Sequence, residues 1–91
     1  ESYVPRFASS LGLSDEAENR ARQLLKNAKE QGVHSGKSPV GLAAAAVYAA
    51  ALLTNEKTTQ AAVSEVADIS EVTIRNRYHE LLEAEQGLPM A

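Results

Sequence analysis

Residues 40–53 read VGLAAAAVYAAALL, a run with no charged or amide side chain on any side. It is too short to span a bilayer, which takes about 20 residues. A helix that is apolar all round has no face to offer water, so it belongs in the middle of a bundle. Its alanines let neighbouring helices approach closely, which makes it the expected hub of the core. Tyr48 within it is expected as a packed ring with a satisfied hydroxyl rather than a catalytic group.

The flanking segments supply amphipathic helices to cover such a hub. Val4, Phe7, Ala8 and Leu11 keep the i, i+3, i+4, i+7 spacing, with Pro5 suited to a first turn and Gly12 to an end. Arg6 lies off that stripe, where a solvated side chain is expected. Ser14 is placed to cap a second helix, opened by Asp15 and Glu16 at the positive end of its dipole. Ala17, Ala21, Leu24, Leu25 and Ala28 form its apolar face, and Lys26 and Lys29 precede Gly32. Arg20, Arg22, Lys26 and Lys29 read as its solvated faces.

Residues 58–82 read as two short helices and a tight turn, a helix-turn-helix spanning 59–86 with its last turns. Thr59 or Thr58 can cap the first, whose Ala62, Val66 and Ile69 follow an i, i+4, i+7 spacing. Asp68 falls at the turn, where positive φ is needed and Asp tolerates it at modest cost. Ser70 can cap the second helix from Glu71. On a wheel advancing roughly 100° per residue, Ile74, Tyr78, Leu81 and Leu82 gather on one side. Val72, Thr73, Asn76, His79 and Glu80 lie opposite, flanked by Arg75 and Arg77. Gly87 and Pro89 are expected to stop the chain's last helix. No strand pattern appears, so the fold class is all-α, with five helices around the central one.

In a DNA-reading helix-turn-helix the first helix braces the backbone and the second presents its N-terminal residues to base edges in the major groove. Arg can chelate guanine, Asn can pair with adenine, and Val can touch a thymine methyl. The same two helices also occur in ordinary bundles, where exposed arginines are simply solvated.

Composition narrows the choice. The chain has no cysteine, which excludes disulfides, zinc ribbons and thiol chemistry within it. No apolar h-region follows a basic start, so the expectation is an intracellular, cytoplasmic protein without a membrane segment. Net charge is −3, and its distribution is uneven. Residues 1–45 hold six Lys or Arg against five Asp or Glu, whereas residues 46–91 hold three against seven. A strong non-specific nucleic-acid binder carries a basic excess instead. The contact surface would be a small basic spot, a partner would supply much of the affinity, or the acidity would reflect a salt-loving host.

The segment GVHSGKS at 32–38 ends like a phosphate loop but fails as one. The pattern needs a glycine five residues before Gly36, where Gln31 stands, and it should follow a strand. The structural reading has Gly32 ending a helix, Gly36 turning, Ser38 capping and Pro39 opening the next. Lys37 beside that helix N-terminus remains a reasonable seat for a DNA phosphate. His34 and His79 lie in different elements with no partner at metal-ligand spacing, so neither an enzyme nor a metal or cofactor site is expected.

The runs YVPRFASSLGLS at 3–14, SGKSPVGLAAAAVYAAALL at 35–53 and TQAAVSEVADISEVTIRNRYHEL at 59–81 carry a specific resemblance. Together they resemble the archaeal transcription initiation factor B family, the counterpart of eukaryotic transcription factor IIB, in the second cyclin-like repeat of its C-terminal core. The resemblance covers nearly the whole chain and makes residues 1–91 a single cyclin-like repeat. It implies a five-helix cyclin-box fold whose last two helices form the helix-turn-helix.

The resemblance also implies a function. Such a repeat reads the factor-B recognition element, a purine-rich stretch just upstream of the TATA box, while the factor clamps the TATA-binding protein–DNA complex in preinitiation-complex assembly. By motif position, Val72 and Arg75 match the family's base-contacting valine and arginine, with Thr73 beside them. Lys37, Ser38, Thr59, Gln60, Asn76 and Arg77 are expected at the DNA backbone or flanking it. Asp68 stands where relatives usually have glycine, and Ala61 and Ala62 replace a pair that is often charged. The family's zinc ribbon, polymerase-contacting linker and first repeat are not in these residues. The expectation is an excised, monomeric, nucleoid-associated module that meets RNA polymerase only through those other parts.

Two other classes stay open at this point. A cyclin-box protein-interaction domain could dock a basic partner on its acidic half and touch no DNA. An unrelated helix-turn-helix regulator would more often dimerise on a palindrome.

Overall fold

A computed structural model describes residues 3–86, which form five α-helices and, among the described residues, no strand. Helix α1 is Tyr3–Leu11 and buries Val4, Phe7 and Ala8. Gly12 ends it at φ +70, a left-handed conformation that costs glycine little. Arg6 is exposed but not merely solvated: its guanidinium lies 5.4 Å from the Tyr3 ring centre, a cation–π distance.

Helix α2, Asp15–Glu30, starts where Ser14 accepts the Ala17 N–H at 3.1 Å and buries Ala17, Ala21, Leu24 and Ala28. Gly32, at φ +76, then lets the Val33 N–H fold back to the Ala28 carbonyl at 2.9 Å. This closes the helix end and buries Val33.

Helix α3, Pro39–Leu53, contacts all four other helices. Every residue from Gly41 to Ala51 except Tyr48 is buried. The run is a hub only over that stretch. Leu52 and Leu53, in its last turn, are 42% and 48% exposed. The Tyr48 ring packs edge-on against Tyr78 at 5.3 Å. Its hydroxyl, expected to be satisfied, has no protein partner among the described residues; at this half-exposed position it needs none.

Helix α4, Gln60–Ala67, is capped by Thr59, which accepts the Ala62 N–H at 3.0 Å. Its buried residues are Val63 and Ala67. The expected stripe of Ala62, Val66 and Ile69 is only half-buried, being one position out of register with the true core face. In an eight-residue helix a one-residue shift of azimuth still leaves a plausible apolar stripe, which is why spacing alone chose wrongly.

Asp68 makes the turn in the left-handed conformation, φ 57 and ψ 45. Its N–H reaches the Ser64 carbonyl, and the Ser64 hydroxyl donates to the Ile69 carbonyl at 2.6 Å. Helix α5, Glu71–Gln86, begins where Ser70 accepts the Thr73 N–H at 3.2 Å. Gly87 and Pro89, expected to stop it, lie outside the described residues.

Two ties fix α5 along α2. The Gln31 side-chain amide donates to the Ala84 carbonyl, and Arg20 pairs with Glu85.

Candidate nucleic-acid interface

The fold buries one side of α5 and leaves the other side of its first turns outward. Ile74 and Leu81 are 0% exposed and Ala84 is 1% exposed, with Tyr78 and Leu82 half-buried beside them. On the far side Val72 is 55% exposed, and Arg75, Asn76 and His79 are exposed. A valine more than half exposed at the start of a helix gains nothing from this domain's own core. Neither Arg75 nor Asn76 has a hydrogen-bond or ion-pair partner among the described residues.

The opposite side of the wheel is not uniformly exposed. Thr73, Arg77 and Glu80 are half-buried, and with Ala84 they follow a 4, 3, 4 spacing that makes a second ridge. This ridge lies against α3 and the loop before it. The Thr73 methyl is 3.5 Å from where a Cβ on Gly41 would stand, and Ser38 lies 3.7 Å from the same point. The Thr73 hydroxyl is engaged with Ser70 at 2.9 Å. Thr73 therefore sits at the seam between α5 and the start of α3 rather than squarely on the outer face.

Lys37 and Arg77 converge on one carboxylate. Lys37 Nζ donates to the Val33 carbonyl at 3.1 Å and stands 3.5 Å from Glu80 Oε1, while Arg77 Nη1 is 3.4 Å from the same oxygen. These are ion-pair distances without hydrogen-bond geometry at that atom. Glu80 Oε1 and Arg77 Nε are both buried and lack a hydrogen-bond partner. On the helical wheel Glu80 falls among the outward residues, with nothing local to mark a role. Its i, i+3 spacing from Arg77 is visible in the sequence, but the third member, Lys37, joins only through the fold.

Lys37, Ser38, Thr73 and Arg77 thus form one neighbourhood at the junction of α3 and α5, with Val72, Arg75 and Asn76 on the exposed turns next to it. Thr59 and Gln60 sit at the start of α4, where Thr59 serves as its cap. Among the described residues no hydrogen bond or ion pair ties them to the junction. No group of three or more His, Cys, Asp or Glu suited to a metal ion occurs among the described residues, and no helix there is long and apolar enough to cross a membrane.

Five helices, four of them packed around the central apolar α3 and the last two a helix-turn-helix, define an all-α cyclin-like repeat. The family of the transcription factor TFIIB repeat matches residues 1–84, and the chain belongs to that family. It is 87% identical over 90 residues to transcription initiation factor IIB 6 of Halobacterium salinarum, covering 99% of this chain and 28% of that protein. It is 79% identical over 91 residues to transcription initiation factor IIB 2 of Haloferax volcanii, covering 100% and 27%. With transcription initiation factor IIB of Haloarcula vallismortis it shares 60% identity over 82 residues, 90% and 72%. The chain spans just over a quarter of the length of the first two relatives.

Proposed function

We propose that this chain is the promoter-reading module of a general transcription initiation factor, with α5 entering the major groove at a purine-rich element upstream of the TATA box. The observation that carries the reading is Val72, 55% exposed beside exposed Arg75 and Asn76 on the first turns of the second helix. Those positions hold the residue types that read base edges: a methyl contact from Val72 and a bidentate guanine contact from Arg75. Thr73 stands at the edge of the base-facing set, with its methyl turned toward Gly41 of α3 and its hydroxyl engaged with Ser70. Lys37, Ser38, Asn76 and Arg77 flank it toward the backbone, with the α3 N-terminus adding its dipole. Thr59 and Gln60 would meet the backbone from the start of α4.

The module works as a monomer beside the TATA-binding protein in preinitiation-complex assembly, within an archaeal cytoplasm. RNA polymerase would be reached through other parts of a longer factor. It performs no catalysis; the family is one of initiation factors, not of enzymes.

The test is fluorescence anisotropy with a duplex carrying a purine-rich element beside a TATA box, against a scrambled duplex, with excess TATA-binding protein. Preference for the purine-rich duplex that disappears in Arg75→Ala is expected. Equal binding to both duplexes by the wild type would sink the reading and favour a protein-interaction domain, for which exposed Leu52 and Leu53 are available.

A further inference from the structure

We infer that Glu80 is a built-in stand-in for a DNA phosphate, which holds Lys37 and Arg77 back from DNA that the α5 residues have not recognised. The inference rests on the reading above, in which those two cations flank the DNA backbone. It concerns a residue with no base or phosphate of its own to touch.

The geometry has three parts. A single carboxylate oxygen lies 3.5 Å from Lys37 Nζ and 3.4 Å from Arg77 Nη1, so two cations share one anion and the group is left net positive. That oxygen is buried and accepts no hydrogen bond, and Arg77 Nε is buried and donates none. The arrangement is therefore held by charge and not by a closed set of directional bonds, and its hydrogen-bonding capacity is incomplete. Arg and Lys use the same donors for carboxylate and phosphate. A phosphate that came close could take the place of Glu80 at Lys37 Nζ and Arg77 Nη1.

How close a phosphate comes depends on what α5 is doing. Non-specific binding is almost wholly electrostatic, and it comes from cations that neutralise phosphates and release counterions. A loosely held duplex has to compete with a carboxylate already in place. A duplex whose base edges engage Val72 and Arg75 is held in the groove, and its backbone is brought to the Lys37–Arg77 pair. Glu80 thus lowers affinity for any sequence but lowers it most where no base contact helps. Discrimination rises as a result. A chain of net charge −3 gains more from directing two of its cations, Lys37 and Arg77, than from exposing them.

The experiment uses the 91-residue chain, with its fold checked by circular dichroism at each salt concentration. Anisotropy is measured with scrambled and purine-rich duplexes across a potassium chloride series for wild type, Glu80→Gln, Glu80→Asp and Glu83→Gln. Glu83 is exposed on the same helix, so its variant removes the same charge without touching the pair. Glu80→Gln is expected to bind the scrambled duplex more tightly and to steepen the log–log salt slope by about 0.9 for each cation released. With both released, affinity falls about tenfold further than wild type between 50 and 200 mM salt. The ratio of purine-rich to scrambled affinity should drop.

Glu80→Asp keeps the net charge but withdraws the carboxylate by one methylene, and should shift in the same direction. Adding Lys37→Gln and Arg77→Gln to Glu80→Gln should abolish the gain. An unchanged slope in Glu80→Gln, or an equal change in Glu83→Gln, would overturn the inference. If wild type binds neither duplex, elution from immobilised heparin decides the masking, and the assay with excess TATA-binding protein decides the DNA reading separately. Later elution of Glu80→Gln than of Glu83→Gln supports it, and co-elution overturns it.

Discussion

Glu56 accepts two hydrogen bonds from Ser14, one from its backbone N–H at 2.9 Å and one from its hydroxyl, across a separation of 42 residues. The same Ser14 hydroxyl oxygen accepts the Ala17 N–H as the cap of α2, and the Thr54 hydroxyl donates to Glu56 at 3.0 Å. One carboxylate therefore ties the end of α3 to the start of α2. The Ser14 hydroxyl, then the Ser14 N–H, hold its pKa below the ordinary value of 4.5, against a smaller opposing effect of burial. Because the folded pKa is the lower one, the stabilisation is fully present above about pH 4.5 and is lost as pH falls through the folded value. Denaturant titrations of wild type and Glu56→Gln should differ at pH 7 and converge as pH falls below 4.5 through the lowered folded value. A difference that stays constant over that range would show that the tie is not ionic.

Asp68 carries the turn at φ 57, where an L side chain is disfavoured by roughly 1–2 kcal/mol, less for Asp than for most residues. Asp68→Ala should lose about 1 kcal/mol. Asp68→Gly should be neutral or slightly stabilising, since relief of the backbone is partly offset by a more flexible unfolded chain. Chemical denaturation ranks the three. Equal loss in both variants would mean that the Asp68 side chain, not its φ, holds the turn.

These two turns show where the sequence was legible. Asp68 announced itself, because a tight turn between two apolar-periodic segments needs a residue that tolerates positive φ. The caps Ser14, Ser38 and Ser70 were readable for a similar local reason, Thr59 as one of two candidates with Thr58, and the hub as residues 40–53, of which Gly41 to Ala51 are buried except Tyr48. Glu56 was not legible, since nothing in a loop of Thr54, Asn55, Glu56 and Lys57 says which distant N–H it will cap. Glu80 was hidden the same way: on a wheel it looks outward, and only the approach of the α3 entry loop gives it Lys37. Spacing resolves a helix's faces when it is long and strongly patterned. Short α4 misplaced its core by one residue, and α5 proved to have two packed ridges where the wheel suggested one.

Val72 separates the DNA reading from a structural one without disturbing the fold. Its exposure means that Val72→Ser should change stability by no more than about 0.5 kcal/mol. Loss of a methyl contact should nonetheless reduce preference for the purine-rich duplex, by an amount within the 1–3 kcal/mol typical of a base-specific contact or below it. The readout is paired: thermal unfolding and competition anisotropy on one preparation. A variant that melts early would show that Val72 packs against something in the domain after all.

Gly41 should act through α5 although it reads no DNA. A Cβ there would meet the Thr73 methyl at 3.5 Å, an ordinary contact, so Gly41→Ala should fit and gain up to about 1 kcal/mol from reduced freedom of the unfolded helix. A branched side chain has no such room between Ser38 and Thr73, and Gly41→Val should push the first turn of α5 away from α3. The expected pattern is unchanged or better stability and DNA preference in Gly41→Ala, with both reduced in Gly41→Val. Overpacking of a well-filled seam typically costs about 1–3 kcal/mol. If Gly41→Val lost stability but kept its duplex preference, the outward turn of α5 would be positioned by its Ser70 cap and the Asp68 turn, not by the seam with α3.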